Sequence, residues 1–553
     1  MRLTRLVAWA LLPVAVALTA CAGGAAPASP DGGDQGVALD ADQWSYAESL
    51  TVGAPLDLAH PALPACATVP LGPGWLAREN ALPGSPSWRP ADVLGVHRIP
   101  LYLDQPSTVC GSPVAVHVGG DGAHGVVVRA YRIGWYAGAG ARLVWSSAPV
   151  DVPHDPGPAR LGDTLPSPGW TTTVALPVDA TWTPGQYLVE TWDQAGLGGV
   201  ASLVVRDDAD RGGLVVMHSN LTWAAYSQFG ASSLYKGDDG RADTRALETA
   251  LQRPTTGAGV SRLLVNDVPV TQFLEEHAIA ARHVVDTDVD AWPSIATSAT
   301  EIVLPGHSEY WTRRMYDAVL AARNGGVNLA DLGANEVYWQ GRLDRDSSGV
   351  PTTLTVARTL AQDPLAAAHP DQATVRWYTG PLNRDGSALI GQRYSAIRAR
   401  GSMQVWSLPP WLRVGTGLRP GAILDGVVAN EADGVRPGSP ATPTDLQTVL
   451  LGVLERHGSP DQLVSTTYYT AQSGAAVFAA GTTYWACDLT DACPDNVAPR
   501  STQQTVRAMT LDVIAGFLSP QFGRLNPSVR DVPRDVASAR AAVTPAAVGQ
   551  YGY

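Results

Sequence analysis

Near Arg211 the hydrophobic pattern of the chain changes its period, and that change constrains the fold more than any other feature. From about Val93 to Asp207 the apolar residues come in short alternating or β-branched runs, among them "VAVHV", "GVVVRAYRIGWY", "RLVWSS", "GQYLVETW" and "ASLVVRD", punctuated by Gly, Pro and Asp. Several short strands separated by such turns imply an all-β sandwich. After Arg211, "GLVVMHS", "RHVVDTDVD", "EIVLPG" and "VNLADLGAN" read as strands, while "VPVTQFLEEHAIA" and "TRRMYDAVLAARNGG" carry helical spacing. Strands that alternate with helices imply a mostly parallel sheet covered on both faces. Further on, "AAVFAAGT" fits a buried strand, and "TDLQTVLLGVLERHG" and "STQQTVRAMTLDVIAGFL" fit amphipathic helices. The expectation is therefore a β-sandwich over 66–207, an α/β domain over 211–520 and an Ala/Pro/Val/Arg tail over 521–553 with little core.

A chain of 553 residues leaves room for roughly two to four domains. Its 38 basic and 51 acidic residues include no basic run, which argues against nucleic acid as a partner. Lys236 is the only lysine, so a P-loop and most Schiff-base mechanisms are excluded. At the N-terminus Arg2 and Arg5 precede "LVAWALLPVAVAL" and then Leu18-Thr19-Ala20-Cys21, the plan of a secretory leader over residues 1–20. The apolar run is shorter than the roughly 20 residues that span a bilayer. A cysteine at this place resembles a bacterial lipobox, which implies that Cys21 carries lipid, that 21–65 is a flexible tether and lead-in, and that the protein is extracytoplasmic and meets the membrane only through its anchor. Of the remaining cysteines, the sequence-local pairing is Cys66 with Cys110 and Cys487 with Cys493, one of three connectivities.

In an open parallel sheet, ligands bind beyond the carboxyl ends of the strands. "EIVLPGHSEYW" and "VNLADLGANEVYW" both cross from strand to loop there, and one helix separates them, so the loops should face each other. That brings His307, Glu309 and Tyr310 toward Asn335, Glu336 and Tyr338. Gly306-His307-Ser308-Glu309-Tyr310 nearly spells a nucleophile elbow, but Tyr310 occupies the second small position and His307 adjoins Ser308, where side chains diverge. Ser308 therefore reads as a turn residue. No H-E-x-x-H or P-C-x-x-C motif accompanies the loops, so a conventional zinc site is not expected. The plain alternative is that these polar groups satisfy one another, as buried polar groups must.

The ordered blocks "AYRIGWYAGAGARLV", "TWAAYSQFGASSLY", "GHSEYWT", "GANEVYW", "GVVANEADG" and "VFAAGTTYWACDL" resemble the large-subunit family of N,N-dimethylformamidase over about Val93 to Leu518. The resemblance implies a β-sandwich followed by a three-layer, flavodoxin-like α/β domain similar to class I glutamine amidotransferases, without their cysteine nucleophile. It also implies a mononuclear iron held by two tyrosines and a glutamate, which fall on Tyr310, Tyr338 and Glu431, with His307, Glu309 and Asn335 as orienting or catalytic groups. Phenolates and a carboxylate are hard donors suited to such an ion. The function so implied is metal-dependent hydrolysis of an amide or related C–N bond in an unidentified small-molecule or peptide substrate, with an oligomeric assembly allowed. The alternative is a noncatalytic cell-surface protein that binds glycans or peptides, supported by 17 tryptophans and the sandwich. Cys21→Ser is expected to move the protein from the detergent phase to the aqueous phase in a cloud-point partition of whole cells; continued detergent partitioning would remove the lipid anchor from this reading.

Overall fold

The computed structural model describes residues 74–89, 98–158, 160–208, 212–456, 460–491, 493, 498–543 and 547–550. The leader, Cys21, the tether and Cys66 lie outside the described residues. An antiparallel three-stranded sheet (Leu101–Leu103, Val114–Val118, Val174–Leu176) and a five-stranded sheet form the first part. In the five-stranded sheet the order is Ser107–Val109, Gly196–Arg206, Gly185–Asp193, Val127–Ile133, Ala141–Ser146. One apolar cluster joins Val114, Val116 and Val118 of the small sheet to Val128, Tyr187, Val189 and Leu203 of the larger one. Val114–Val118 alternates buried and half-buried residues, as a sheet with one solvated face should.

The strand Gly185–Asp193 departs from alternation, with seven consecutive buried residues. Its second face packs on helices: Tyr131, Ile133, Leu188 and Val200 form a cluster with Trp223, Val260, Leu263, Leu264 and Val268. Polar contacts also cross this seam. Arg132 donates to Glu275 at 2.7 and 2.9 Å, Thr271 donates to Gln186 at 2.8 Å, and Arg206 donates to Asp288 at 3.0 Å. Buried charges persist only when matched in this way.

The second part is built on one ten-stranded sheet. Five strands are parallel, in the order Ala281–Val285, Leu214–His218, Glu301–Gly306, Asn328–Gly333, Ala476–Ala479. Beyond them lie Gln462–Thr470, Gln447–Glu455, Ala547–Gln550, Arg393–Val405 and Ile423–Gly434, and most of these pairings are antiparallel. The expected mostly parallel sheet thus describes only half of the real one. One reason is that "TDLQTVLLGVLERHG", expected as a helix, forms the strand Gln447–Glu455, buried from Gln447 to Leu454. Leu451 and Val453 enter one apolar cluster while Val449, Leu450 and Leu454 enter the other, so both faces of this strand are core. A two-sided apolar strand has no period to distinguish it from a buried helix.

The expected tail also takes part. Val536–Ala542 is helical, Ala539 and Val543 join the first cluster, and Ala547–Gln550 pairs between two strands of the sheet. Helix Arg313–Gly325 covers one face through Met315, Val319 and Ala322, and Arg500–Phe517 covers the other through Val506, Val513 and Phe517. Thr312 caps the first of these helices by accepting the Met315 amide, and Gly326 closes it at φ 105°, a left-handed conformation that glycine adopts freely. Between Gly306 and that helix, Tyr310–Thr312 leaves the main sheet and pairs with Trp339–Arg345 in a separate five-stranded sheet. A disulfide joins Cys487 and Cys493, whereas the other expected pairing involves Cys66, outside the described residues.

Glu301 begins the third parallel strand fully buried, and neither of its carboxyl oxygens has a hydrogen-bond partner. Burial pushes its pKa well above the ordinary value, so the folded chain keeps a proton that the unfolded chain releases. Stability is therefore undiminished below the unfolded pKa and falls as pH rises toward the folded one. Glu301→Gln is expected to raise unfolding free energy at pH 7 by about 1–3 kcal/mol, with the gain disappearing near pH 4, as read by denaturant titration at both values.

Candidate functional site

Glu301–Gly306 and Asn328–Gly333 run in register, ending with Gly306 opposite Gly333. A Cβ on Gly333 would stand 2.1 Å from the Gly306 carbonyl oxygen, so only glycine permits this approach. Past it the two loops zip together. The Val337 amide donates to Ser308 O at 3.1 Å, and the Tyr338 and Trp339 amides donate to Glu309 O at 3.1 and 3.0 Å. Asn335 and Val337 take φ of 58° and 53°, conformations rare outside glycine and concentrated at functional sites.

His307, Glu309 and Asn335 converge as the sequence implied, and Glu431 joins them from the strand Ile423–Gly434. His307 Nδ1 lies 2.9 Å from the Ala334 carbonyl, which assigns the proton to that nitrogen in the neutral ring. Its Nε2 is buried without a hydrogen bond, 3.5 Å from Glu309 Oε2 and 3.7 Å from Glu431 Oε1. Glu309 accepts hydrogen bonds from the Tyr226 and Tyr235 hydroxyls at 2.8 and 2.5 Å. Glu431 accepts from Asn335 Nδ2 at 2.7 Å, and from Tyr226 and Arg262 at 3.4 Å each.

Above these carboxylates the side chains form a four-layer stack. Arg262 lies 4.3 Å over the Tyr226 ring, Tyr226 stacks on Tyr235 at 4.2 Å, and Arg358 lies 4.2 Å over Tyr235. Arg358 also donates to the Tyr310 hydroxyl at 2.8 Å, and its own φ of 68° is left-handed. Tyr310 is fully buried within this group, edge-on to Tyr235. Tyr338 packs on Trp339, Tyr378 and Tyr394 in a neighbouring aromatic group. Ser308 behaves as a turn residue: its amide donates to both oxygens of Glu336 at 2.8 Å and its carbonyl accepts the Trp311 indole.

The electrostatics divide the acids into two tiers. Burial alone would lower the His307 pKa, but the Glu431 charge and the nearby Glu309 carboxylate outweigh it and raise the value. Burial opposes ionisation of Glu309 as well, yet the His307 contact holds it below the usual carboxylate range. Among the neighbouring acids, burial pushes Asp433 up to about 7, and burial with repulsion from nearby carboxylates takes Asp331 and Glu336 well above their ordinary values. Burial, followed by the nearby Glu309 charge, raises Tyr226 and Tyr235, so both phenols stay protonated as donors. An ionised carboxylate beside an imidazole, near carboxyls whose pKa is raised, is equipped to move a proton.

Sequence reasoning did not assign Tyr226, Tyr235, Arg262 or Arg358. The block "TWAAYSQFGASSLY" contained both tyrosines without a role, while no motif marked the arginines. For the implied iron, the donor chemistry fits, since carboxylates and phenols of Glu309, Glu431, Tyr226 and Tyr310 lie in one buried cluster. No group of three or more His, Cys, Asp or Glu side chains arranged to hold a metal occurs among the described residues.

The arrangement defines a mixed α/β protein with an acid–imidazole–phenol cluster at the carboxyl edge of parallel strands. Residues 127–497, more than half of the chain, match the family described as N,N-dimethylformamidase beta subunit-like, C-terminal, and the chain belongs to that family. No curated protein matches it. Because the site depends on the close approach of two strand ends, Gly333→Ala is expected to cost about 3 kcal/mol of stability, measured as a shift in denaturation midpoint, through forced displacement of the Gly306 backbone.

Proposed function

We propose that this chain hydrolyses an amide or related C–N bond of a small substrate, with His307 and Glu309 moving the proton. The observation that carries the reading is the His307 Nε2, buried without a hydrogen bond and facing Glu309 and Glu431 in a cluster of carboxylates and phenols. Family membership supports it. Glu309 takes a proton from the attacking water, and the His307 imidazolium delivers one to the departing nitrogen, leaving an acid and an amine. Tyr226 and Tyr235 hold the Glu309 carboxylate in place, and Asn335 does the same for Glu431. Burial of these groups excludes bulk water, which strengthens each interaction. Tyr235, Arg262 and Arg358 are the half-buried members and form the solvent-facing side of the cluster.

Iron belongs to the proposal as an ion that Tyr310 and Glu431 would hold, with Glu309 and Tyr226 of the same cluster as further donors, whereas Tyr338, the third ligand implied by the resemblance, packs in the neighbouring aromatic group; bound, it would polarise a carbonyl and acidify water. Lipid attachment at Cys21 and an extracytoplasmic location are carried by the leader pattern alone. No helix among the described residues is long and apolar enough to cross a membrane.

Elemental analysis of purified protein is expected to find about one iron per chain, lost in Tyr310→Phe and Glu431→Gln. Glu309→Gln is expected to lower amine release from a panel of N-alkyl amides by roughly 10²–10⁴-fold with little change in KM. Failure of the iron-loaded wild type to hydrolyse any member of the panel would count against the reading.

A further inference from the structure

A cavity of about 540 Å³ opens between the three-stranded sheet and the small sheet that carries Glu248–Ala250 and Pro351–Thr355. None of its lining residues belongs to the His307 cluster. Its volume lies in the range that holds small ligands. The wall contains Tyr102 and His117, whose rings stack at 4.7 Å with only 8° between their planes. His117 Nδ1 lies 2.7 Å from the Trp170 carbonyl, which assigns its proton to Nδ1 and leaves Nε2 as an acceptor. Tyr102 is held in turn by its hydroxyl on the same carbonyl and by tilted contact with the Trp170 ring.

The polar groups of the lining are mostly acceptors. Asp104 is its one carboxylate, with Oδ1 accepting the Ala115 amide. Gln252 donates its amide nitrogen to the Pro351 and Asp104 carbonyls, which turns its oxygen into the free end. Ser167 and Thr353 add hydroxyls, and no lysine or arginine appears among the lining residues. Apolar surface from the Tyr102 ring, Pro166, Ala250 and the carbon atoms of the polar residues makes up most of the lining, which suits the C–H faces of a sugar.

We infer that this cleft binds an oligosaccharide whose hydroxyl and amino groups donate to Asp104, Gln252 and His117. Tyr102 is buried against His117 and Trp170 and so makes this wall rigid, while the half-buried His117 is the ring that can meet the face of a sugar. Hydroxyl donors match the carboxylate, amide oxygen and imidazole acceptors, and an amino sugar adds a charge complementary to Asp104. The absence of basic lining residues disfavours an acidic saccharide. This inference does not rest on the hydrolytic reading, because the cleft and the His307 cluster share no residue.

Isothermal titration of the purified protein with a β-1,4-linked glucosamine trimer tests it, with a galacturonate trimer and a Lys-Ala-Lys-Gly peptide as comparisons. Saturable binding of the glucosamine trimer is expected, weakened about ten-fold by Asp104→Asn and again by Gln252→Ala, and unchanged by Tyr310→Phe. His117→Ala supplies an independent variant, and unchanged thermal melts confirm that each variant is folded. No saccharide binding, equal affinity for the galacturonate trimer, unaltered affinity in all three cleft variants, or binding of the peptide in place of the sugar would each overturn the inference.

Discussion

The close approach of two strand ends at Gly306 and Gly333 is the constraint on which the functional region depends. Backbones at this separation leave no room for a side chain on Gly333. Each loop can therefore use the other's carbonyls and amides, and the paired loops hold His307, Glu309 and Asn335 in one buried volume. Gly306 itself sits at φ 51°, beside the Asn266 backbone, so its conformation and its surroundings both require glycine. Hydrogen bonds between irregular loops substitute here for a regular ladder, as they must where backbone is taken from water.

Once the loops are joined, the problem becomes one of charge. Glu309 and Glu431 are buried, and isolated ionised carboxylates would be costly there. Tyr226, Tyr235 and Asn335 supply neutral donors, and Arg262 supplies a cation from the half-buried side. Arg262 reaches this point from the end of the helix Ala258–Arg262, just before the π-turn Leu263–Asp267. Such turns insert a residue into a helix and often occur at functional sites. In the same turn, Asp267 accepts hydrogen bonds from His218 and from Trp223, which shares its helix with Tyr226. The tyrosine that bridges the two carboxylates is thus fixed from behind by a separate buried acid.

Strand and helix assignments were legible where one face of an element is polar. Val114–Val118, Arg313–Gly325 and Arg500–Phe517 each show the expected period, and each has a partly solvated side. Gln447–Glu455 was not legible, because core lies on both of its faces and its apolar residues carry no contrast. The segment after Asn526 misled for the opposite reason. Its few apolar residues give little periodicity, yet Ala539, Val543 and Val548 are buried by neighbours already in place. In the site, adjacent strand-to-loop crossings sufficed to place His307, Glu309 and Asn335 together. Nothing local marked Arg262 or Arg358, since a guanidinium stacked on a distant tyrosine leaves no trace in its own surroundings.

By itself the sequence determined the succession of an all-β part and a strand–helix part, the glycine-marked strand ends and the family to which the chain belongs. Those features are written in short-range periodicity and in residues whose backbone demands are local. Only the tertiary structure decided which tyrosines serve the carboxylates and which acids keep their protons. It also decided that the strand Gly185–Asp193 is buried on both of its faces. Each of these depends on partners far apart in the chain: Tyr226 with Glu431, Arg132 with Glu275, Asp331 with Asp433. Burial and charge at such points are properties of the packed neighbourhood, and the neighbourhood exists only after the chain has folded.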